Sequence, residues 1–412
     1  MNTPRPRIIF LTQFYDPEPA YKGHAFAKAV RDLGYDVEVV TGFPNYPGGK
    51  LYDGYRIKPI QRSEEDGIKI TRLALYPSHD TGRIGRVLNY LSFFLSAFLY
   101  LVFLARQPAL VHVYNPPLTV GLAATAARIF RRFPVVVDIH DLWPDTLPAT
   151  GMISNPRALR LLDHAAAWMY RHVQHIMLHT EGFRETLLDR QVPAAKMTTV
   201  LGWTKEDQES APARPFPEAM RDLKGLKILY AGNIGPAQSL DAVLKAAHIL
   251  ERQGMGDKIT FCFLGGGVSL EALKTQATAL GLSNVAFLAR VPGNEVRAFL
   301  DAADCLLVHL RDTPLFEITL PSKTQAYMYA AKPLLMGVRG EAARLVKRAA
   351  AGITVTPENP DSIAAGAIAL AEMPPSEREQ LGQNGRDYYE RELSMQKGMQ
   401  KFAEVFKRVR RS

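Results

Sequence analysis

Short apolar runs of strand length, each followed by a stretch of helical periodicity, recur along this chain and then begin afresh half-way. That double alternation restricts the fold more than any other feature, because it is the pattern of parallel, doubly wound sheets. In the first half the strands are read at residues 8–12, 37–41, 110–114 and 135–139, with a helix over 24–33. The pattern restarts at 227–231, with a helix over 240–252 and further strands at 259–264, 285–288, 305–309 and 333–338. A length of 412 residues exceeds what one core accommodates, and two α/β domains are expected. Residues 202–225, rich in charge and carrying Pro212, Pro215 and Pro217 without an apolar period, read as the connection.

With 47% hydrophobic and 22% charged residues the chain is neither disordered nor a polytopic membrane protein. Its two cysteines, Cys262 and Cys305, lie inside apolar runs and fit buried thiols in a reducing compartment. The first residues lead straight into a strand with no apolar signal core, so a cytoplasmic location is expected. The formal charge of +9 implies an anionic partner without choosing among nucleic acid, lipid head groups and phosphorylated substrate. No interleaved stacking aromatics or nucleic-acid motif accompanies it. The basic tail, with Lys401, Lys407, Arg408, Arg410 and Arg411 around Phe402, Val405, Phe406 and Val409, reads as the solvated end of an amphipathic helix.

Residues 87–105 carry no charge and are flanked by Arg83, Arg86 and Arg106. Three readings stay open: a buried core helix, a helix whose outer face dips into one leaflet, and a transmembrane span. Against a span, the chain on both sides continues one α/β domain. For docking, Arg83, Arg86, Arg128, Arg131 and Arg132 would face anionic head groups beside Tyr90, Phe93 and Phe94.

Ligands of open α/β sheets sit outside the carboxyl ends of the strands, so the residues following each strand hold the candidates. In the second half these are Gly232-Asn233-Ile234-Gly235, where small residues permit close approach of backbone to phosphate, and Gly265-Gly266-Gly267. Both also read as plain turns. A stronger signal is Pro321-Ser322-Lys323-Thr324-Gln325: Ser322 and Gln325 have the spacing of a capping box, predicting a helix start there. Lys323 in the first turn then opposes the helix dipole, a conflict that a bound phosphate would resolve. In the first half, His140-Asp141-Leu142-Trp143-Pro144-Asp145 follows the strand at 135–139, placing His140 where it would contact a sugar or polarise a hydroxyl. Residues 15–24, with Gly23 before a helix, form the other loop at that edge.

Together with HTEGFRETLL at 179–188, YAGNIGPAQSLD at 230–241 and LPSKTQAYMYAAKP at 320–333, these segments resemble the retaining glycosyltransferases of family 4, and within it the bacterial surface-polysaccharide branch similar to L-fucosamine (FucNAc) transferases. The resemblance implies a GT-B fold of two Rossmann-like domains facing across a cleft: an acceptor-binding domain over 1–203, a linker over 204–224, a nucleotide-sugar domain over 225–390, and a helix over 391–412 packing back on the first domain. It implies transfer of a sugar, with retention and without an essential metal or other cofactor, from a nucleotide diphosphate sugar. By family habit that donor is UDP-linked, with an N-acetylated 6-deoxy sugar in keeping with the branch. The acceptor is expected to be lipid-linked, on polyprenyl diphosphate, at the anionic inner face of the plasma membrane.

Carried onto this sequence, the resemblance gives catalytic positions to His140, Glu317 and Lys323. It gives donor contacts to Gly232, Asn233, Arg290 and Val291, and to Ser322, Thr324, Gln325 and Glu341. Acceptor contacts fall to Tyr15, Gly23, Asp141 and Trp143. The chain also departs from the pattern. The second glutamate of the family motif falls on Gln325-Ala326, so the ribose contact belongs to Gln325, to Glu341 or to neither, and Asn233 and Gln238 stand where many members have Arg and Lys. Asp141 would orient His140 or cap its loop. The competing functions are a catalytically silent nucleotide-sugar binder and a sugar-nucleotide epimerase of the same fold.

Overall fold

The protein is described here by a computed structural model that covers residues 5–78, 83–149, 153, 155–204, 206 and 215–411. Of the expected connection, residues 205 and 207–214 lie outside the described residues, as does the Arg83 side chain. The chain divides into two compact units, one made of Met1–Val200 with Met399–Ser412 and the other of Leu201–Gly398.

In the first unit eight strands form one sheet: β1 (Arg7–Leu11), β2 (Asp36–Gly42), β3 (Ile60–Glu65), β4 (Ile68–Leu73), β5 (Leu110–Asn115), β6 (Val135–Ile139), β7 (His175–Leu178) and β8 (Met197–Thr199). Their spatial order is β3-β4-β2-β1-β5-β6-β7-β8. All neighbours are parallel except the β3–β4 hairpin. The winding reverses between β1 and β5, which makes the loops after these strands and after β6 the natural ligand edge. Strands β5 and β6 are buried along their whole length, as expected when helices cover both faces of a parallel sheet. The hairpin adds a polar outer edge and was not foreseen, although Asp66-Gly67 between two strand-length runs has the chemistry of a two-residue hairpin turn; both have positive φ (49° and 74°).

The helices that bear on the site are α1 (His24–Asp32), α2 (Arg83–Leu99), α3 (Leu118–Arg131) and α4 (Glu181–Asp189). The uncharged segment forms α2 and continues as a π-helical turn over Tyr100–Leu104. By length and composition Ile84–Leu104 is the one helical stretch among the described residues able to cross a membrane, with 33% of its most apolar window buried. It leaves β4 and re-enters at β5 of the same sheet. Phe93, Ala97, Tyr100 and Leu101 are buried, whereas Ile84, Leu88, Leu91, Leu95, Leu99 and Phe103 are exposed. A wholly buried core helix is therefore excluded. Arg131, expected at head groups, instead donates to the carbonyls of Val102 (2.6 Å) and Ala105 (3.1 Å), where a cation suits the end of a helix.

The second unit holds a six-stranded, all-parallel sheet of β9 (Leu226–Asn233), β10 (Ile259–Gly266), β11 (Val285–Leu288), β12 (Cys305–His309), β13 (Leu334–Gly337) and β14 (Gly352–Thr354), ordered β11-β10-β9-β12-β13-β14. Here the winding reverses between β9 and β12, beside the Gly232 loop. Helices α5 (Asp241–Arg252), α6 (Ser322–Tyr329) and α7 (Glu341–Ala349) begin at or near the carboxyl ends of its strands. Cys262 on β10 and Cys305 on β12 are buried free thiols, on strands separated by β9.

A last helix, α8 (Met395–Arg411), belongs to the first unit from Met399 onward. Phe402, Val405, Phe406 and Val409, at the i, i+3, i+4, i+7 spacing of one helix face, are buried. Phe402 packs on Phe26 (5.3 Å) and His112 (5.4 Å), and Lys401 and Arg408 hold the helix to Thr199 and His175. Truncation of the fully buried ring by Phe402→Ala is expected to destabilise the first unit by about 3–5 kcal/mol, read as a lowered urea midpoint for that unit.

Candidate active site

At the carboxyl edge of the first sheet, the loop after β1 is fixed by a buried carboxylate. Glu18 accepts from the backbone N–H groups of Tyr15 (3.2 Å), Asn45 (2.7 Å) and Tyr46 (2.7 Å), which ties this loop to the one after β2. Burial raises the Glu18 carboxyl, and these N–H donors and Arg72 oppose that rise. A chain of amides continues the bracing: Gln13 donates to Asn89 of α2 (2.5 Å), which donates to Asn45 (3.2 Å) and to the Tyr76 carbonyl (2.7 Å). Gly23 precedes α1 for want of space, since a Cβ there would overlap the Asp16 carboxylate, which accepts from the His24 N–H at 2.6 Å. That helix start is therefore already occupied by an anion of the chain itself. Tyr15 is fully buried and its hydroxyl pairs with His24 Nδ1 (2.8 Å), so it builds the loop and is not an exposed acceptor contact.

His140 follows β6 and lies in a nest of rings: His179 at 4.4 Å, Tyr21 at 4.8 Å and Tyr114 at 4.9 Å between centroids. Its carboxylate neighbour is Asp138, at 3.5 Å from Nε2, and not the expected Asp141, which is exposed. The reason is the period of a strand: residues 138 and 140 share a face and 141 does not. Asp138 is buried and ion-paired with Lys22, itself buried, while His112 Nε2 lies 3.7 Å away. Burial alone would raise the Asp138 carboxyl, but Lys22 and then His140 outweigh it and hold it below the usual carboxylate range. Burial, with Lys22 adding to it, depresses His140, and burial with His140 depresses His179 further. All three imidazoles are thus neutral at pH 7. Trp143 packs edge-on against Tyr90 of α2 (6.0 Å).

In the second unit, β9 and β10 stay paired into their glycine loops, with Gly232 opposite Gly265 and Asn233 opposite Gly266. Gly232 and Gly265 both have φ of +139°, a conformation open to glycine, and a Cβ on Gly265 would collide with the Gly232 carbonyl. These loops are closely apposed and do not behave as a loose turn. Gly232, Asn233, Gly265, Gly266, Arg290 and Val291 line one pocket of about 310 Å³. Four expected donor contacts, Gly232, Asn233, Arg290 and Val291, are thereby brought together.

Lys323 reaches the same loop: a Cβ on Gly232 would lie 2.9 Å from its Nζ, which stands 4.8 Å from the Tyr230 ring centroid. No acidic partner is recorded for it among the described residues, and burial lowers its pKa to about 8. Asn233 and Gln238, at the positions of missing cations, form a neutral pair at 3.3 Å, and Gln238 also accepts from the Gly235 N–H.

The helix does start where expected, yet without the capping box. Pro321 is the N-cap, Ser322 is already helical and exposed, and no side chain caps the start. Gln325 is buried; with its amide nitrogen turned to the only acceptors in reach, it donates to the carbonyls of Pro321 (2.9 Å) and Ser322 (3.2 Å). It is therefore unavailable to a ribose. Thr324 is also fully buried, below the pocket surface. Glu317 is exposed, and its backbone lies against Gly340, just before Glu341, whose carboxylate accepts from Arg344 at 3.2 Å.

Residues 24–203 match the family model described as glycosyl transferase 4-like domain, and residues 216–388 match that of glycosyl transferases group 1. This chain is a glycosyltransferase of the GT-B fold. A protein of Escherichia coli (strain K12) named as a colanic acid biosynthesis glycosyl transferase, WcaI, is 25% identical over 328 residues, covering 75% of this chain and 77% of that one. Sucrose-phosphate synthase from Thermosynechococcus elongatus superposes with a TM-score of 0.73 at 14% identity, covering 98% and 99% of the two chains. Anabaena HepE in complex with UDP-glucose superposes with a TM-score of 0.66 at 15% identity, covering 98% and 99%.

In this glycosyltransferase the residues that sequence reasoning missed are Lys22, Asp138 and His179. The available signal was an aspartate inside the apolar run Val135–Ile139, since a charge in a buried strand requires a partner. Burial, partly opposed by Asp138, depresses His112 to about 3, against 6.5 for a free imidazole. On acidification the unfolded chain takes up that proton first, so stability is complete above about pH 6.5 and declines below it. The slope reaches about 1.4 kcal/mol per pH unit for this one group. Thermal midpoints are expected to fall between pH 7 and pH 5, and His112→Phe to make the fall shallower.

Proposed function

We propose that the enzyme transfers a sugar from a nucleotide diphosphate sugar, UDP-linked, to a lipid-linked glycan acceptor in surface-polysaccharide synthesis. Transfer proceeds with retention, and the diphosphate is stabilised by protein cations without an essential metal. The observation that carries this reading is the Lys323 ammonium: desolvated, without an acidic partner among the described residues, and held against a glycine loop that would admit a phosphate to its backbone. Arg290 lines the same pocket, so two cations serve a site where Asn233 and Gln238 are neutral. UDP as the donor nucleotide draws support from the UDP-glucose complex of Anabaena HepE, and the polysaccharide product from the name of the Escherichia coli relative. An N-acetylated 6-deoxy sugar is the donor glycosyl group to test first.

Within this reading Glu341 takes the ribose contact that Gln325 cannot make, and Glu317, exposed beside it, faces the sugar. Ser322 and Thr324 contribute through the backbone of the first turn of α6. His140, with Asp141 and Trp143 on its loop, contacts the sugar or the acceptor hydroxyl. Thermal-shift screening against UDP, GDP, ADP and dTDP sugars identifies the donor, because a specific ligand stabilises the fold by mass action. Lys323→Ala is expected to lower kcat/KM at least 100-fold and Asn233→Ala less than tenfold; equal small losses would overturn the assignment. Because Lys323 acts as a cation and burial lowers it to about 8, kcat/KM for the donor falls as pH rises through about 8, and Lys323→Arg flattens that limb. EDTA leaves the rate unchanged.

A membrane-borne acceptor is supported by the inverted polarity of α2. Its polar side chains turn inward: Asn89 donates to Tyr76 and Asn45, Ser92 accepts from the Tyr76 N–H (2.8 Å), and Ser96 donates to the Ala74 carbonyl (2.7 Å). Leucines and Phe103 turn outward and continue onto Ile129 and Phe130 of α3, all more than 40% exposed. Such a face fits shallow insertion into the inner leaflet of the plasma membrane, with Arg86, Arg106 and Arg132 at its rim. The triple change Leu91→Ser, Leu95→Ser, Phe103→Ser is expected to reduce sedimentation with anionic vesicles at least tenfold while leaving nucleotide binding intact.

A further inference from the structure

Lys22 and Asp138 form the buried ion pair of the first unit, brought together from the β1–α1 loop and from β6. The Lys22 ammonium also lies 4.4 Å from the Phe402 ring centroid of α8 and 5.3 Å from that of Phe26. A charge pair in such surroundings persists only with both members present, since either one alone would be a buried uncompensated charge. One carboxylate oxygen, Oδ2, faces Lys22 and His112; the other, Oδ1, faces Nε2 of His140. Neutral imidazole protonates one nitrogen only, and a carboxylate beside Nε2 selects the tautomer with the proton there. Nδ1 then carries the lone pair. Rotation of the ring is restricted by His179, Tyr21 and Tyr114 packed around it.

We infer that Asp138, kept ionised by Lys22, is a positioning residue that holds His140 in the Nε2–H tautomer so that Nδ1 accepts a hydrogen bond from a substrate hydroxyl. His179 supports the same arrangement. It packs against His140 with ring centroids 4.4 Å apart and planes tilted by 35°, and its buried Nδ1 has no hydrogen-bond partner among the described residues, which leaves a second acceptor or donor at the same strand edge. The substrate class is accordingly a polyol presenting two neighbouring hydroxyls, as a hexose ring does. This rests on the placement of His140 at the sugar or acceptor proposed above.

The test uses the full chain and four proteins: wild type, His140→Ala, Asp138→Asn, and the charge-balanced double variant Lys22→Met with Asp138→Asn. In wild type, nitrogen-15 spectra of labelled histidine should give His140 the Nε2–H pattern. In the double variant, which leaves no buried charge behind, the thermal midpoint and the dissociation constant of UDP should match wild type. Its kcat should fall at least tenfold, more than its donor KM changes, and His140 should lose the pure Nε2–H signature. A stable double variant with wild-type kcat, or an Nδ1–H pattern in wild type, overturns the inference. If Asp138→Asn alone does not fold, the double variant still decides. If His140→Ala retains wild-type kcat, the reading of His140 itself fails, which is a different result from a crippled His140→Ala beside a fully active double variant.

Discussion

The buried Lys22–Asp138 pair is the interaction on which the first unit's ligand edge depends. Three separate stretches of chain meet there: the loop that follows β1, the end of β6, and the aromatic face of α8. Removing two ions from water is expensive, and the attraction repays it only where the geometry is held by everything around it. Glu18 supplies part of that holding by gathering the backbone of two loops, and Phe26, His112 and Phe402 exclude water from the rest. A side chain at the surface of this cluster, such as His140, inherits its orientation from the whole of it.

The second unit solves the opposite problem. The carboxyl edge of its sheet gathers a neutral amide pair and a lysine with no acidic partner among the described residues, arranged around glycines that keep two strands paired into their loops. Among the described residues no carboxylate pairs with Lys323, and burial already weakens its hold on its proton. An anion brought to that ammonium would restore the charged form, so ligand binding and protonation are linked there. Lys22 is thus neutralised within its own unit, whereas Lys323 is the cation that the proposed reading assigns to the donor diphosphate.

Most strands and helices were legible because burial on both faces of a parallel sheet leaves continuous apolar runs, and helices between them keep a 3.6-residue period. The β3–β4 hairpin escaped because its outer strand is largely exposed and polar, so only the Asp66-Gly67 turn marks it. The helix start near Ser322 was legible as a boundary, but not the chemistry of its cap: Pro321 takes the N-cap and Gln325 folds back on the carbonyls. The glycine loops read equally as plain turns, because their close apposition beside Lys323 depends on strand pairing that sequence order does not display. Tyr15 was misplaced because a large aromatic after a strand can turn into the core, and the orienting role allowed for Asp141 falls to Asp138 because the strand period carries it to the face of His140.

The first unit is written in two pieces of the chain, with the whole of the second unit between them. Phe402, Val405, Phe406 and Val409 fill the first unit's core, yet on a ribosome they are added only after the whole of the second unit. Until then, the surfaces of Phe26 and His112 that Phe402 covers lack that occupant. The second unit has no such dependence and holds its own contiguous set of strands. The order in which the two units begin is therefore not the order in which their cores can close: the first to begin is completed only after the second has been made.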